Sequence, residues 1–266
     1  MCKVIFGRGL ITHNARRGWS ALKRLADGAE RMGISLTDDQ LGSYQAYYET
    51  LVDWNQRVNL TRISDYEEVQ TKHFLDSLSC LEMIERVWGI SAKRADVDVR
   101  AIDVGTGAGF PGVALKIALP ALHLTLLEAT GKKVEFLQAL VERLGLEDVV
   151  ILNARAEEVG QNPVHRERYG LALARALAGM ATLAELTLPL VQVGGLVIAQ
   201  KGENPAAEVE SARKAIDTLG GQVEGIAPVV VPGLDGARHL VMLKKVSATP
   251  AKYPRRPGMP AKRPLG

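Results

Sequence analysis

The chain has few cysteines, no long uninterrupted apolar run and little net charge, and each shortage narrows what it can be. Cys2 and Cys80 are the only cysteines in 266 residues, which allows neither a disulfide framework nor a structural zinc knuckle and suits a reducing compartment. The stretch from Leu171 to Ala199 is rich in apolar residues. Arg175, Glu185, Pro189 and the pair Gly194-Gly195 nevertheless divide it into pieces too short to span a membrane, so it reads as a buried helix and strand. Residues 1–19 carry Lys3, Arg8, Arg16 and Arg17 but lack the apolar core of a secretory signal. No export is expected, and a cytoplasmic location is the default.

The net charge is only +3, but its placement is uneven: residues 1–34 carry +5, residues 247–266 carry +5, and the middle carries −7. Basic ends attract a polyanion from a distance, and they also serve as plain solvated tails. With 47% apolar and 24% charged residues the composition is globular. The length suits one core of about 200 residues with additions.

Between residues 20 and about 90 the pattern is helical. Thr37 is a plausible N-cap before Asp38, Asp39 and Gln40, and Leu41, Tyr44, Tyr48, Leu51 and Val52 follow at helical spacing. A second helix from about Tyr66 to Val87 would place Phe74, Leu75, Leu78, Leu81 and Ile84 on one face. From Arg100 the period changes. Short apolar runs at Ala101–Val104, Leu122–Leu127, Val149–Leu152, Leu171–Leu173 and Leu196–Ala199 alternate with helical patterns, as a parallel sheet with crossover helices requires. Ile226–Val231 and His239–Val246 flank a Pro-Gly turn and predict an antiparallel hairpin. The fold class is therefore α/β. Residues 247–266 hold five prolines and are expected to be extended or disordered unless they find a partner.

The segment Ala101-Ile102-Asp103-Val104-Gly105-Thr106-Gly107-Ala108-Gly109-Phe110-Pro111-Gly112 places glycines between a strand and a helix. Missing β-carbons let a nucleotide-like ligand approach the backbone, and amides at the helix start supply donors. Phe110 stands where a dinucleotide fingerprint needs its third glycine, and the lysine and hydroxyl of a P-loop are missing. Glu128 ends the second predicted strand, where a carboxylate accepts hydrogen bonds from both ribose hydroxyls of an adenosine. This pairing suits S-adenosylmethionine; an ordinary tight turn and a surface carboxylate are the plain alternative. After the third strand, Asn153 to Glu158 offers small and acidic residues for an adenine edge, or simply a capped helix start. Arg175 ends the fourth strand in apolar surroundings and needs a carboxylate or phosphate partner.

Taken together, these segments resemble one family, the 16S ribosomal RNA guanine-N7 methyltransferases called RsmG or glucose-inhibited division protein B. The likeness spans nearly the whole chain. It rests on Gly33-Ile34-Ser35-Leu36-Thr37, Trp54-Asn55, Asn59-Leu60-Thr61, His73-Phe74-Leu75-Asp76-Ser77, the Asp103 to Gly112 loop, Gly131-Lys132-Lys133, Arg175-Ala176, Lys201-Gly202 and Leu234-Asp235-Gly236-Ala237-Arg238-His239-Leu240. The resemblance implies a class I S-adenosylmethionine-dependent methyltransferase, a Rossmann-like seven-stranded sheet with its last strand antiparallel, preceded by a helical subdomain. It divides the chain into an extension (1–19), a helical subdomain (20–95), a methyltransferase domain (96–246) and a basic tail (247–266).

By position, the family's cofactor contacts fall on Gly105, Phe110, Glu128, Ala129, Thr130, Ala156, Glu157 and Arg175. Phe110 stands where relatives often have leucine and Glu128 where some have aspartate; both keep the chemical type. The tail Tyr253-Pro254-Arg255-Arg256-Pro257-Gly258 resembles an ending of some branches of the family, which favours RNA contact over mere solubility. The implied substrate is a guanine in the 530 loop of 16S ribosomal RNA, free or in a small-subunit particle. A monomer without metal or membrane is expected.

Guanine N7 carries a lone pair and no proton, so attack on a sulfonium methyl needs no general base, and alignment supplies most of the catalysis. His73 and His239 are then assigned to RNA positioning or to structural hydrogen bonding, and no catalytic base is named. In A-form RNA the N7 edge lies in a deep, narrow groove, so the target must sit in a loop or be unstacked. Lys201 and Arg238 are placed to clamp its phosphates. Two alternatives stay open, a small-molecule methyltransferase and an RNA-binding regulator with a vestigial pocket.

Overall fold

The computed structural model describes residues 22–88 and 99–266. The extension expected at 1–19 and the boundary expected at 95/96 lie outside the described residues.

The helical part begins with α1 (Lys23–Arg31) and α2 (Asp38–Asn55). Thr37 caps α2 as expected: its hydroxyl accepts from the Gln40 amide while the Gln40 side chain accepts from the Thr37 amide, a reciprocal capping box. The face of α2 turned inward is Tyr44, Tyr47, Thr50 and Leu51, shifted slightly from the expected stripe, so that Tyr48 lies at its margin. The helix expected over Tyr66 to Val87 is interrupted. It runs as α3 (Tyr66–Val69), a π-helical stretch Gln70–Leu75, α4 (Asp76–Leu78), a turn at Ser79-Cys80, and α5 (Leu81–Trp88). Phe74, Leu75, Leu78, Leu81 and Ile84 are all buried as the pattern requires. The wider π turn rephases the helix around His73, a feature that recurs at functional sites.

The remaining elements alternate: β1 (Arg100–Val104), α6 (Gly112–Ala118), β2 (His123–Glu128), α7 (Gly131–Leu144), β3 (Val149–Asn153), α8 (Ala156–Gln161), β4 (Tyr169–Arg175), α9 (Met180–Thr187), β5 (Val191–Lys201). Two short helices, α10 (Pro205–Ser211) and α11 (Arg213–Thr218), lead to the hairpin β6 (Gly221–Val229) and β7 (Arg238–Lys245); α12 (Met259–Lys262) lies in the tail. The sheet order is β3-β2-β1-β4-β5-β7-β6, with β1 to β5 parallel and β7 antiparallel to both its neighbours.

Alternate residues of each strand feed two separate cores, following the two-residue period of a strand. Ala101, Leu124, Leu126, Leu171, Leu173, Leu196 and Ile198 pack with α6, α7 and the N-terminal helices. Ile102, Val104, Leu127, Ala172, Ala174, Val197 and Ala199 pack with α8, α9, α10, α11 and Tyr253. The N-terminal helices thus share one apolar core with the sheet.

The tail departs from expectation. Residues 247–266 find a partner, but it is the chain's own core. Tyr253, Pro254 and Pro260 are buried, and the Gln161 amide donates to the carbonyls of Ala251 and Pro254. Arg166 donates to the carbonyls of Thr249 and Tyr253, and Arg255 meets the fully buried Glu185 carboxylate at 2.6 Å. A buried carboxylate without a cation would be costly, and the sequence pattern alone carries no sign of which residue supplies it.

Candidate functional site

The carboxyl ends of β1 and β2 build the first half of the site. Gly105, Gly107 and Gly109 have φ of +69°, +61° and +90°, which L side chains adopt only under strain. Two of them also lack room. A β-carbon on Gly105 would lie 2.6 Å from Leu177, and one on Gly109 would lie 2.6 Å from the Tyr47 hydroxyl. Gly107 is the open position, where nothing comes nearer than the Gly105 carbonyl at 4.0 Å.

Two carboxylates hold this loop. Asp103 is fully buried; its Oδ2 accepts from Thr106 Oγ1 at 2.6 Å and from the Gly112 amide at 2.8 Å, while its Oδ1 has no partner. Burial pushes its carboxyl up to about 6, against the pull of those two hydrogen bonds. Glu128 stands opposite. Its Oε2 accepts from the Gly107 amide at 3.1 Å and its Oε1 from the Thr130 amide at 2.8 Å. Both oxygens are therefore fixed, and each keeps a lone pair for a further donor. Ala129 and Thr130 are exposed beside it. The register Glu128↔Asn153 brings the end of β3, and with it Ala156 and Glu157 at the start of α8, to the same edge.

From below, α2 grips the loop. Tyr47 donates its hydroxyl to the Ala108 carbonyl at 2.5 Å, Tyr44 to Ala114 at 2.7 Å, and the Gln40 amide to Ile117 and Ala118. Helical spacing puts Tyr44 in the core stripe but leaves Tyr47 out, because hydroxyl partners distant in sequence leave no periodic mark. Phe110 is buried between Tyr47 and His73, with ring centroids 5.0 and 4.4 Å away, and the Arg175 guanidinium lies 5.0 Å from its ring centre. Its side chain therefore ties the loop to the helical part, leaving the Phe110 backbone nearer the glycines.

The second half of the site centres on Asp76, which the sequence marks only as part of the His73 to Ser77 motif. Its carboxylate, 6% exposed, meets Arg175 at 3.1 Å and Arg238 at 3.2 Å. One carboxylate between two guanidinium groups leaves positive charge in excess. Arg175 also donates to the Lys72 carbonyl, so the partner it requires is a neighbouring carboxylate and a carbonyl of the chain itself. Ala176, the next residue, has φ +52°, a strained conformation for alanine that re-aims the chain directly after β4.

His73 is buried, with Nε2 2.9 Å from the Thr61 hydroxyl and Nδ1 near the Lys72 carbonyl and Arg175. Burial first, then the Arg175 charge, lowers its pKa to about 3, so it stays a neutral ring. Lys201 donates to the Ala178 carbonyl and pairs with Glu208, both at 2.9 Å, so its charge is answered within the chain. His239 sits opposite Lys201 in the β5·β7 register and contacts the Gly202 carbonyl through Nδ1 at 2.8 Å. The structure thus gathers Arg175, Lys201, Arg238 and His239 at the edge that also carries Glu128, while His73 lies beneath them. Among the described residues no cluster of His, Cys, Asp or Glu could hold a metal ion, and no helix is long and apolar enough to cross a membrane.

Comparison with known proteins places the chain in a family. The family model described as GidB, rRNA small subunit methyltransferase G, matches residues 40–241. A protein of Dehalococcoides mccartyi named Ribosomal RNA small subunit methyltransferase G is 49% identical over 244 residues, covering 92% of this chain and 100% of the relative. One of the same name from Roseiflexus castenholzii is 49% identical over 237 residues, covering 89% and 97%. A crystal structure of a mutant of MtNAS superposes with a TM-score of 0.51 at 16% identity, covering 86% of this chain and 81% of that one, and speaks for the fold alone. The sheet is that of the class I methyltransferases, and with a family model spanning most of its length the chain belongs to the rRNA small subunit methyltransferase G family.

Proposed function

We propose that the protein transfers a methyl group from S-adenosylmethionine to N7 of a guanine in the 530 loop of 16S ribosomal RNA. The coarser reading, donor-dependent methylation of small-subunit ribosomal RNA, is that of its family. The observation that supports an RNA acceptor beside the donor is the adjacency of two unlike halves on one sheet edge, and the guanine and its loop follow the family resemblance. A glycine cradle is faced by the fixed Glu128 carboxylate, and next to it lies a cluster with excess positive charge built on Asp76, Arg175 and Arg238.

The cradle fits a methyl-donating nucleoside. Gly107 is open to an approaching ligand, the free lone pairs of Glu128 suit a ribose diol, and the unpartnered Asp103 Oδ1 places negative charge beneath the loop. S-adenosylmethionine, when bound, supplies an electrophilic methyl group on sulfur. Glu128, with Ala129 and Thr130, would hold the ribose. Ala156 and Glu157 would border the adenine, and Gly105 with the Phe110 backbone would line the remainder. Arg175, engaged by Asp76 and Lys72, would border the cofactor while fixing the loop through Phe110 and adding positive charge.

The chemistry of the acceptor matches what these residues are able to do. A guanine N7 lone pair attacks in line and loses no proton, and the neutral, enclosed His73 is suited to packing rather than to proton removal. Alignment accounts for the rate: well-oriented groups reach effective molarities equivalent to roughly 7 to 11 kcal/mol. Arg238 and His239 face the RNA side, and Lys201 supports them from its pairing with Glu208. The test is transfer of an isotopically labelled methyl group to purified 16S RNA and to small-subunit particles. Label in either supports the reading; label only in small metabolites would favour a small-molecule methyltransferase.

A further inference from the structure

The C-terminal tail touches the cofactor edge at one point. The backbone amide of Gly258 donates to Glu157 Oε1 at 2.8 Å. Glu157 opens α8 at the end of β3 and is 8% exposed, and its Oε2 has no hydrogen-bond partner among the described residues. A long acidic side chain is ordinarily free to choose its rotamer. Here one oxygen is taken, so the other points in a defined direction.

The amide is itself held in place from both sides. Upstream, Arg255 gives Glu185 three hydrogen bonds, from its amide, Nε and Nη2, and Pro254 packs on Gly160 of α8. Downstream, the Thr182 hydroxyl donates to the Pro260 carbonyl at 2.9 Å. Gly258 has φ +81°, which presents its N–H at this bend and which only glycine adopts without strain. The tail is therefore tied to α8 and α9 independently of Glu157, and the Gly258 amide arrives at the carboxylate already ordered.

We infer that Gly258 is a positioning residue of the cofactor site. Its amide sets the Glu157 carboxylate so that Oε2 accepts from a donor on the base of the bound nucleoside. The inference rests on the reading of Glu157 as a cofactor contact. It gives residues 247–266 a task in donor affinity, separate from any contact that exposed Arg256, Lys262 and Arg263 make with RNA.

The test is a double-mutant cycle read by calorimetric binding of S-adenosylmethionine to the full chain. Gly258→Pro removes the N–H and cannot adopt the positive φ. A second variant lacking residues 258–266 keeps the Arg255–Glu185 anchor. Each is expected to weaken binding about tenfold, the scale of one hydrogen bond to a charged group, and Glu157→Ala is expected to weaken it at least as much. On the Glu157→Ala background Gly258→Pro should have no further effect on donor binding, because the carboxylate that the amide holds is gone. Unchanged affinity in both tail variants, or effects that add on that background, would overturn the positioning role and leave Glu157 in the site. Unchanged affinity in Glu157→Ala would overturn the reading of the site itself. RNA affinity should stay constant in Gly258→Pro, and a matching loss there would assign the tail to the RNA instead.

Discussion

Three carboxylates and one imidazole show how single residues divide the work. Glu128 organises the cradle by accepting two backbone amides, so Glu128→Ala removes a charge-assisted acceptor and frees both amides. Donor affinity should fall by about 1.5 to 3 kcal/mol, measured by calorimetry. Glu157, held by the Gly258 amide, would serve the far side of the same nucleoside in the proposed binding mode. Asp103 acts differently because it is enclosed. Its carboxyl titrates near 6 in the folded chain against an ordinary 3.8, so between those values the folded state holds the extra proton. Its contribution to stability is complete below 3.8 and is lost as the pH rises through about 6. Asp103→Asn, unable to titrate, should flatten that part of the stability curve by on the order of 3 kcal/mol, measured by urea unfolding at a series of pH values. His73 runs the other way. Its folded pKa of about 3 lies below the ordinary 6.5, so its contribution is present above 6.5 and is lost as the pH falls towards 3. NMR titration of the imidazoles should find His73 neutral at pH 5.

At the scale of elements, the glycine loop is held from α2 as much as from the sheet. Tyr47→Phe deletes the hydroxyl that meets the Ala108 carbonyl and should cost about 1 kcal/mol of stability, with a parallel loss of donor affinity because the loop loses its lower clamp. The strap of the tail over α9 contributes more. Arg255→Ala leaves the Glu185 carboxylate buried without its cation, a defect of about 3 to 5 kcal/mol in denaturant unfolding.

These elements also show what a sequence discloses. The strand, glycine loop and helix around Asp103 to Gly112 are legible because a backbone with positive φ demands glycine locally, and the strands are legible because two-sided burial leaves apolar runs. Asp76, Tyr47 and Gly258 are not. Their partners, Arg238, Ala108 and Glu157, lie far along the chain, and no periodicity encodes a contact made only after the sheet has assembled. The π stretch is illegible for a related reason, since the apolar residues Phe74, Leu75, Leu78, Leu81 and Ile84 that follow its start keep helical spacing among themselves. The proline-rich tail reads as a chain in search of a partner because prolines and arginines suggest no core, yet Arg255 and Tyr253 supply what the second face of the sheet lacks.

Across the whole molecule, the mixed sheet brings the glycine loop and a cationic cluster to one edge, and the N-terminal helices share the core beneath both. Arg238 ties β7 to the N-terminal helices through Asp76. Arg238→Ala should weaken RNA binding and lower the magnitude of its salt slope by about one, with donor affinity unchanged, as filter binding at several salt concentrations would register. The most direct measurement of the central claim is mass spectrometric mapping of 16S ribosomal RNA after incubation of small subunits with the protein and S-adenosylmethionine. The account predicts a single new 7-methylguanosine within the 530 loop. A methyl group on another base or at another position, or none at all with the donor demonstrably bound, would contradict it.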